Sequence, residues 1–304
     1  MNIFDAATKL KKNGKCVCLA IGFFDGVHLG HQQIIRQTIS DARQHGGIPL
    51  ALTFDRHPNT VVAPDKAPLL IYSPAQKLRT IESLGITDIL LIRFDKPFSR
   101  QSGEDFIRGL VREFGKVHSI CVGANFFFGH RRGGNVELLK KLGGELDFQV
   151  HGLSAVSLDG HAVSSTRIRE AIRAGNLDDA SQMLGRPYAI CGKVVLGDKL
   201  GRTLGFPTAN LDTAGLALPP NGVYAGVTKH EGRLYRVALN IGTRPTVAES
   251  GPARVEAHLL GFDGELYGRE LEVEIGGKLR DEKKFGSPLE LKEQIARDVA
   301  AVRM

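Results

Sequence analysis

At 304 residues the chain has room for about two domains of ordinary size, and 42% hydrophobic with 24% charged residues is an ordinary soluble globular composition. No apolar run approaches the roughly 20 residues of a membrane span, and the opening Met1-Asn2-Ile3-Phe4-Asp5 lacks a basic and then apolar leader, so a cytoplasmic protein with no membrane partner is expected. The net charge of +7 and a pI near 9.3 suit anionic small molecules, whereas no Lys/Arg-dense tract with interleaved aromatics argues for nucleic acid.

In chain order, the apolar run Val17 to Ile21 reads as a buried strand, and Ile34, Ile35, Thr38, Ile39 and Ala42 read as the face of an amphipathic helix. Between them lies Gly22-Phe23-Phe24-Asp25-Gly26-Val27-His28-Leu29-Gly30-His31. A Gly-rich turn at a helix start has unpaired N–H groups and a dipole that favours an anion, which suits phosphate. His28 and His31 share a face once the chain is helical and could grip one phosphate chain. Zinc is a weaker reading, because no third ligand lies near and HExxH is absent; GxGxxG is absent too. A Gly-rich turn with two surface histidines is the plain alternative.

Ile48 to Phe54 reads as the next strand. Ser73-Pro74-Ala75-Gln76 opens a helix with an N-cap, Pro at the first position and Gln in the capping-box place; Leu78, Ile81 and Leu84 face inward and Gly85 stops it. Ile89 to Phe94 is predicted as a strand, Ser102 and Asp105 open a helix bearing Phe106, Leu110 and Phe114 that Gly115 stops, and Ser119 to Val122 is a strand again. This alternation predicts a parallel sheet with helices on both faces and a ligand beyond the carboxyl ends of the strands, where His28 and His31 fall. Farther on, Ser164-Ser165-Thr166 followed by Arg167 and Arg169 sits at a predicted helix start. It can donate hydrogen bonds to a triphosphate and steady a leaving pyrophosphate, or simply cap a surface helix.

After about Gly185 the pattern changes to short alternating segments, Val223 to Val227, Tyr235 to Ile241, Val255 to Leu260 and Leu271 to Ile275, as in a small antiparallel barrel. A last helix starts at Ser287-Pro288-Leu289-Glu290, with Leu291, Ile295, Val299 and Val302 on one face. The expected domains are 1–185 and 186–304. Within the second, Pro207 stiffens Gly201-Arg202-Thr203-Leu204-Gly205-Phe206-Pro207-Thr208-Ala209-Asn210. If the stretch is extended there, Thr208 and Asn210 point the same way and offer two oxygens to one hard cation, with glycines letting the backbone approach phosphates. Glu256 and His258 share a strand face opposite Val255, Ala257 and Leu259. Cys16, Cys18, Cys121 and Cys191 form no CxxC pair and read as buried free thiols.

Taken together, His28 and His31 with Ser164, Ser165, Thr166 and Arg169 resemble the HxGH and SSTxxR elements of nucleotidylyltransferases. Thr53 to Pro58 and Val122 to Gly129 resemble the TFxPHP and VGxxFxFG elements of bacterial FAD synthetases, and Gly201 to Asn210 resembles the GRTxGFPTAN signature of riboflavin kinases. Asn240 to Thr246, Leu266-Tyr267-Gly268 and Leu279 to Phe285 look like further elements in the expected order. From about Gly22 to Val302 the chain is therefore similar to the bifunctional riboflavin kinase/FMN adenylyltransferase family, the prokaryotic FAD synthetases.

That resemblance implies an α/β N-terminal Rossmann-like nucleotidyltransferase domain and a C-terminal antiparallel β-barrel kinase domain with a terminal helix. It implies two ATP-dependent reactions, riboflavin to FMN in the barrel domain and FMN to FAD with release of pyrophosphate in the first, with Mg²⁺ as cofactor. For adenylyl transfer it implies that Gly22, Phe23, Asp25, Gly26, His28, His31, Ser164, Ser165, Thr166 and Arg169 bind ATP, His28, His31 and Arg169 acting in catalysis. Phe54, His57, Asn125 and Phe128 would line the FMN pocket. For the kinase it implies ATP at Gly192, Gly197, Gly201, Thr203, Gly205, Phe206, Pro207, Thr208 and Asn210, the metal on Thr208 and Asn210, and riboflavin against Glu256 and Arg280. Glu256 would be the general base. Phe23 stands where the family usually has Asn, Arg56 replaces the usual Pro, Phe127 a common basic residue and Gly261 a frequent Asp. Homo-oligomerisation is left open.

Overall fold

The computed structural model describes residues 1–10, 13–242 and 254–303. Packing divides the chain into two compact units. One comprises Met1–Leu70 and Pro74–Ser165, the other Ile71–Ser73 and Thr166–Met304.

The first unit is built on six parallel strands: β1 (Asn2–Phe4), β2 (Val17–Ile21), β3 (Ile48–Phe54), β4 (Asp88–Ile92), β5 (Val117–Gly123) and β6 (Gln149–Leu153), in the spatial order β1-β4-β3-β2-β5-β6. All five residues of β2 are buried, as a strand covered on both faces requires. Its side chains alternate between two cores. Val17, Leu19 and Ile21 join α5 (Gly103–Phe114) and α6 (Val136–Leu146) through Phe106, Leu110, Leu139 and Leu142, whereas Ala20 faces α1 (Leu29–Gln44) and α3 (Pro74–Ser83) through Ile34, Ile35, Leu78 and Ile81. Single-turn helices α2 (Asn59–Val62) and α4 (Lys96–Ser99) and the hairpin β7 (Ser157–Leu158) and β8 (His161–Ala162) complete this part. The chain runs from β2 to β3 on one side and returns to β5 on the other, so the strand order reverses at the carboxyl end of β2, the place where open α/β sheets bind ligands.

Helix α7 (Ser165–Ala174) spans the division between the units, and α8 (Leu177–Leu184) follows in the second. The barrel is closed by β9 (Ala189–Val195), β10 (Ala209–Asp212), β11 (Gly222–His230), β12 (Arg233–Gly242), β13 (Arg254–Leu259) and β14 (Glu270–Arg280), all antiparallel, in the order β10-β13-β12-β11-β14-β9. Short helix α9 (Leu200–Thr203) interrupts the β9–β10 connection and α10 (Pro288–Arg303) ends the chain. Strand interiors alternate as expected, with Val255, Ala257 and Leu259 inside and Glu256 and His258 outside.

The expected architecture of both halves is observed. The predicted strand Ile89 to Phe94 instead ends at Ile92, because the Phe94 N–H donates to Asp55 Oδ1 (2.9 Å) rather than to a neighbouring strand. The barrel strands β11, β12 and β14 run longer than their apolar alternation, and β14 carries Gly276 and Gly277 past register shifts against β11. Thr243, Arg244, Pro245 and Thr246 of the Asn240 to Thr246 element lie outside the described residues. Cys16, Cys18, Cys121 and Cys191 are all free and buried, and burial pushes Cys18 to about 11 and Cys121 to about 12.

Candidate active sites

At the carboxyl end of β2 the chain turns through three left-handed residues, Phe24 (φ 56°), Gly26 (φ 75°) and Val27 (φ 41°), before α1 begins after His28. A β-branched residue in that region is strained, and such strain is concentrated at functional sites. Neighbours hold the turn: the Gly22 N–H donates to the Leu52 carbonyl (3.1 Å), Thr53 Oγ1 to the Phe23 carbonyl (3.0 Å) and Gln32 Nε2 to the Val27 carbonyl (3.1 Å). Ser165 Oγ donates to the Asp25 carbonyl (3.0 Å), so the start of α7 is fixed on the same turn. The imidazoles of His28 and His31 stack with centroids 3.6 Å apart, and Phe24 meets His31 edge-on at 5.3 Å. A Cβ on Gly30 would lie 3.3 Å from the His28 ring, so glycine there gives the ring its place. The outcome is a pair of stacked imidazoles at the first turn of a long helix, where N–H groups and the dipole attract phosphate. Arg169 lies four residues beyond Ser165 on α7, on the same helix face, and Thr166 is exposed.

The four residues expected to line an FMN pocket separate by depth. Phe54 and Phe128, each 8% exposed, belong to a continuous aromatic core: Phe54 packs on Phe94 and Phe98, Phe98 on Phe106, Phe106 on Phe128, and Phe128 stacks on Phe126 at 5.3 Å. His57 stands nearer the turn, its Nδ1 accepting from the Asn59 N–H (3.1 Å) and its ring 4.9 Å from Phe23. Asn125 is exposed, as is Phe127 at 47%, under the Arg132 guanidinium. Partial burial raises the Asp55 carboxyl, but the Arg56 guanidinium and the Phe94 N–H outweigh it and hold it below the usual range. Among the described residues no three His, Cys, Asp or Glu side chains gather to hold a metal.

The second site lies on the outer face of the barrel. Register aligns Asn210 with Glu256, Glu256 with Asn240, Asn240 with Val223 and Val223 with Arg280, a single row across five strands. All five line one cavity of about 290 Å³, together with Thr208, Gly201, Phe206 and His258. Thr208 and Asn210 are two apart on an extended segment and face the same way. Their hydroxyl and amide oxygens are hard donors suited to a Mg²⁺ ion that keeps phosphate and water as its other ligands. Gly197 supports this fit, since a Cβ there would come 2.2 Å from the Asn210 amide. A Cβ on Gly201 would lie 2.4 Å from the Phe206 carbonyl, and Gly205 takes a positive φ of 91°. The carbonyl of Pro207 accepts from His258 Nδ1 (2.8 Å), which fixes that imidazole's tautomer and ties β13 to the turn. Gly192, Gly197, Thr203, Gly205 and Pro207 do not line the cavity among the described residues, and Gly192 instead makes room for the Asp212 carbonyl of the adjacent strand.

Arg280 is committed to an ion pair with Asp298 of α10, through Nε–Oδ1 (2.9 Å) and Nη2–Oδ2 (2.7 Å). Asp298, only 6% exposed, has no sequence signal beyond interrupting the apolar stripe of Leu291, Ile295, Val299 and Val302. Asn240, inside a recognised element, and His258 gain their importance only from register.

A family model described as FAD synthetase matches residues 10–167, and one described as riboflavin kinase matches residues 184–304. The bifunctional riboflavin kinase/FMN adenylyltransferase of Escherichia coli (strain K12) is 40% identical over 290 residues, 95% of this chain and 92% of its own length. The chain belongs to the bifunctional riboflavin kinase/FMN adenylyltransferase family. The family member of Pseudomonas fluorescens is 38% identical over 94% of this chain and 92% of its own, and that of Buchnera aphidicola from Acyrthosiphon pisum 34% identical over 100% and 97%. A solved structure described as a macrolide-efflux protein from Streptococcus pneumoniae superposes with a TM-score of 0.82 at 28% identity, covering 99% of this chain and 98% of that one. Efflux belongs to the wording of that structure; among the described residues here no helix is long and apolar enough to cross a membrane. As in the family, the FAD synthetase region precedes the kinase region.

Proposed function

We propose that the enzyme phosphorylates riboflavin to FMN at the barrel site and adenylylates FMN to FAD at the sheet site, using ATP twice. The observation that carries the first half is the row Asn210–Glu256–Asn240 inside one cavity, which sets a carboxylate beside the candidate cation ligands. Glu256 accepts the proton of the ribityl 5′-hydroxyl as that oxygen attacks the γ-phosphate, the bond to the β,γ-bridging oxygen breaks and ADP leaves. Thr208 and Asn210 would hold Mg²⁺, which when bound would offset charge on the ATP phosphates. Arg280, held by Asp298, borders the riboflavin side.

At the sheet site the FMN phosphate attacks the α-phosphate of ATP and pyrophosphate leaves. The loop from Gly22 through Phe23, Asp25 and Gly26, the imidazoles of His28 and His31, the hydroxyls of Ser164, Ser165 and Thr166, and the Arg169 charge hold the triphosphate and stabilise the departing pyrophosphate. His57 and Asn125 meet the flavin, with Phe54 and Phe128 as the floor behind them. No covalent intermediate is needed; positioning and electrostatics suffice. The adenylyltransferase half runs over 1–185 and the kinase half over 186–304, in the cytoplasm.

A time course with riboflavin, ATP and Mg²⁺, resolving riboflavin, FMN and FAD chromatographically, tests this. FMN first and FAD after it is the expected result. FMN without FAD would remove the sheet-site reading, and unchanged riboflavin would remove the barrel-site reading.

A further inference from the structure

Lys77 on α3 carries no role in the resemblance, yet it is the most deeply placed cation of the sheet site, 4% exposed. A buried ammonium is tolerated only when its donors are satisfied. Here Nζ donates to the Phe54 carbonyl (2.8 Å), to Thr53 Oγ1 (3.1 Å) and to the Phe23 carbonyl (3.2 Å), three acceptors for three N–H bonds. Two acceptors end β3 and the third belongs to the turn after β2. The ammonium also lies over the Phe23 ring, 4.4 Å from its centroid, while His57 meets the same ring from β3's loop. Phe23 thus meets both a cation and an imidazole, at the position where the family usually has Asn.

We propose that Lys77 is a positioning residue for adenylyl transfer: it locks the 22–26 turn onto the end of β3 and so sets where the triphosphate meets His28 and His31. The proposal rests on the reading of that site as the adenylyltransferase centre. With all three N–H bonds taken by protein oxygens, Lys77 acts through the loop and not as a phosphate ligand. Its charge is sensitive to pH because burial pulls its pKa down to about 8, against the attraction of Asp25 and Asp55. The other charged and titratable groups around this corner are Arg56, paired to Asp55, and His57.

The test is FMN-to-FAD conversion by the full chain and by Lys77→Met and Thr53→Val, measured from pH about 6.5 to about 9.5, with riboflavin phosphorylation by the same samples as internal control. Lys77→Met is expected to lower kcat about 10²-fold, change KM for FMN little, and leave the kinase rate unaltered. Wild-type adenylylation should fall above about pH 8, the residual activity of Lys77→Met should lack that alkaline limb, and Thr53→Val, which removes one acceptor of the ammonium, should move the limb to lower pH. If Lys77→Met also loses FMN binding, the limb of Thr53→Val decides. A wild-type kcat in Lys77→Met, or an unmoved limb in Thr53→Val, overturns the proposal. Absence of FMN adenylylation by the unsubstituted chain would instead remove the reading of the site itself.

Discussion

Glu256 and His28 belong to different compact units, so single substitutions should separate the two reactions. Glu256→Ala removes the only proton acceptor assigned in the kinase mechanism. FMN formation should drop by 10² to 10⁴-fold, about the worth of general base catalysis, while FAD formation from supplied FMN continues. His28→Ala should do the reverse, and undiminished FAD formation in that variant would end the phosphate-clamp role. Lys77 also contributes a linkage effect. Its folded pKa, about 8, lies below the unfolded value near 10.5, so between those pH values the unfolded chain holds the extra proton. Its burial therefore costs stability below about pH 8, and that cost should be recovered as pH rises toward 10.5. Denaturant midpoints of wild type and Lys77→Met should converge across that interval.

At the scale of elements, the Gly197 turn packs on Asn210 and α10 on Arg280, two residues of the proposed kinase site. Gly197→Ala would drive a methyl group onto the Asn210 amide. The expected outcome is a higher Mg²⁺ concentration for half-maximal riboflavin phosphorylation, with adenylylation unchanged; an unaltered Mg²⁺ dependence would dissociate Gly197 from the metal site. Asp298→Ala leaves Arg280, about one-fifth exposed, without its carboxylate and frees α10 from β14. Breaking such a pair costs about 3 kcal/mol or more, discounted here for the partial exposure of Arg280, and should appear as a lowered denaturation midpoint of the barrel unit together with a raised KM for riboflavin.

These elements also mark what could be read in advance. The strands β2 and β3, the outward placement of Glu256 and His258, and the caps at Ser102 and Ser287 follow from periodicity and local hydrogen-bonding chemistry, which the sequence displays directly. The row that joins Asn210, Glu256 and Asn240 depends on strand register, a non-local property with no local signal. The early end of β4 depends on the carboxylate of Asp55, which follows β3. Lys77 resembles any lysine on an amphipathic helix, and its burial follows only from where the ends of β2 and β3 converge. Phe54 and Phe128 share their motifs with the less buried His57 and Asn125, and their position in the core is set by the aromatic neighbours they meet.

For the molecule as a whole, the division into two compact units predicts two unfolding events. Riboflavin with ADP and Mg²⁺ should stabilise one event by about 2.7 kcal/mol at a hundredfold excess over Kd, raising its midpoint, and leave the other in place. A single event shifted as one by this ligand set would show that the units unfold together. The surplus of seven positive charges should speed encounter with ATP and FMN, so kcat/KM for both reactions should fall as ionic strength rises.

The four cysteines give this division a built-in reporter. Cys16, Cys18 and Cys121 lie in the sheet unit and Cys191 in the barrel unit, all free and buried. An alkylating reagent reaches each sulfur only when its surroundings open, so peptide mass spectrometry of alkylation over time reads the opening of each half separately. In a chain without tryptophan, those sulfurs can act as two clocks within one molecule, showing which half each flavin nucleotide keeps shut.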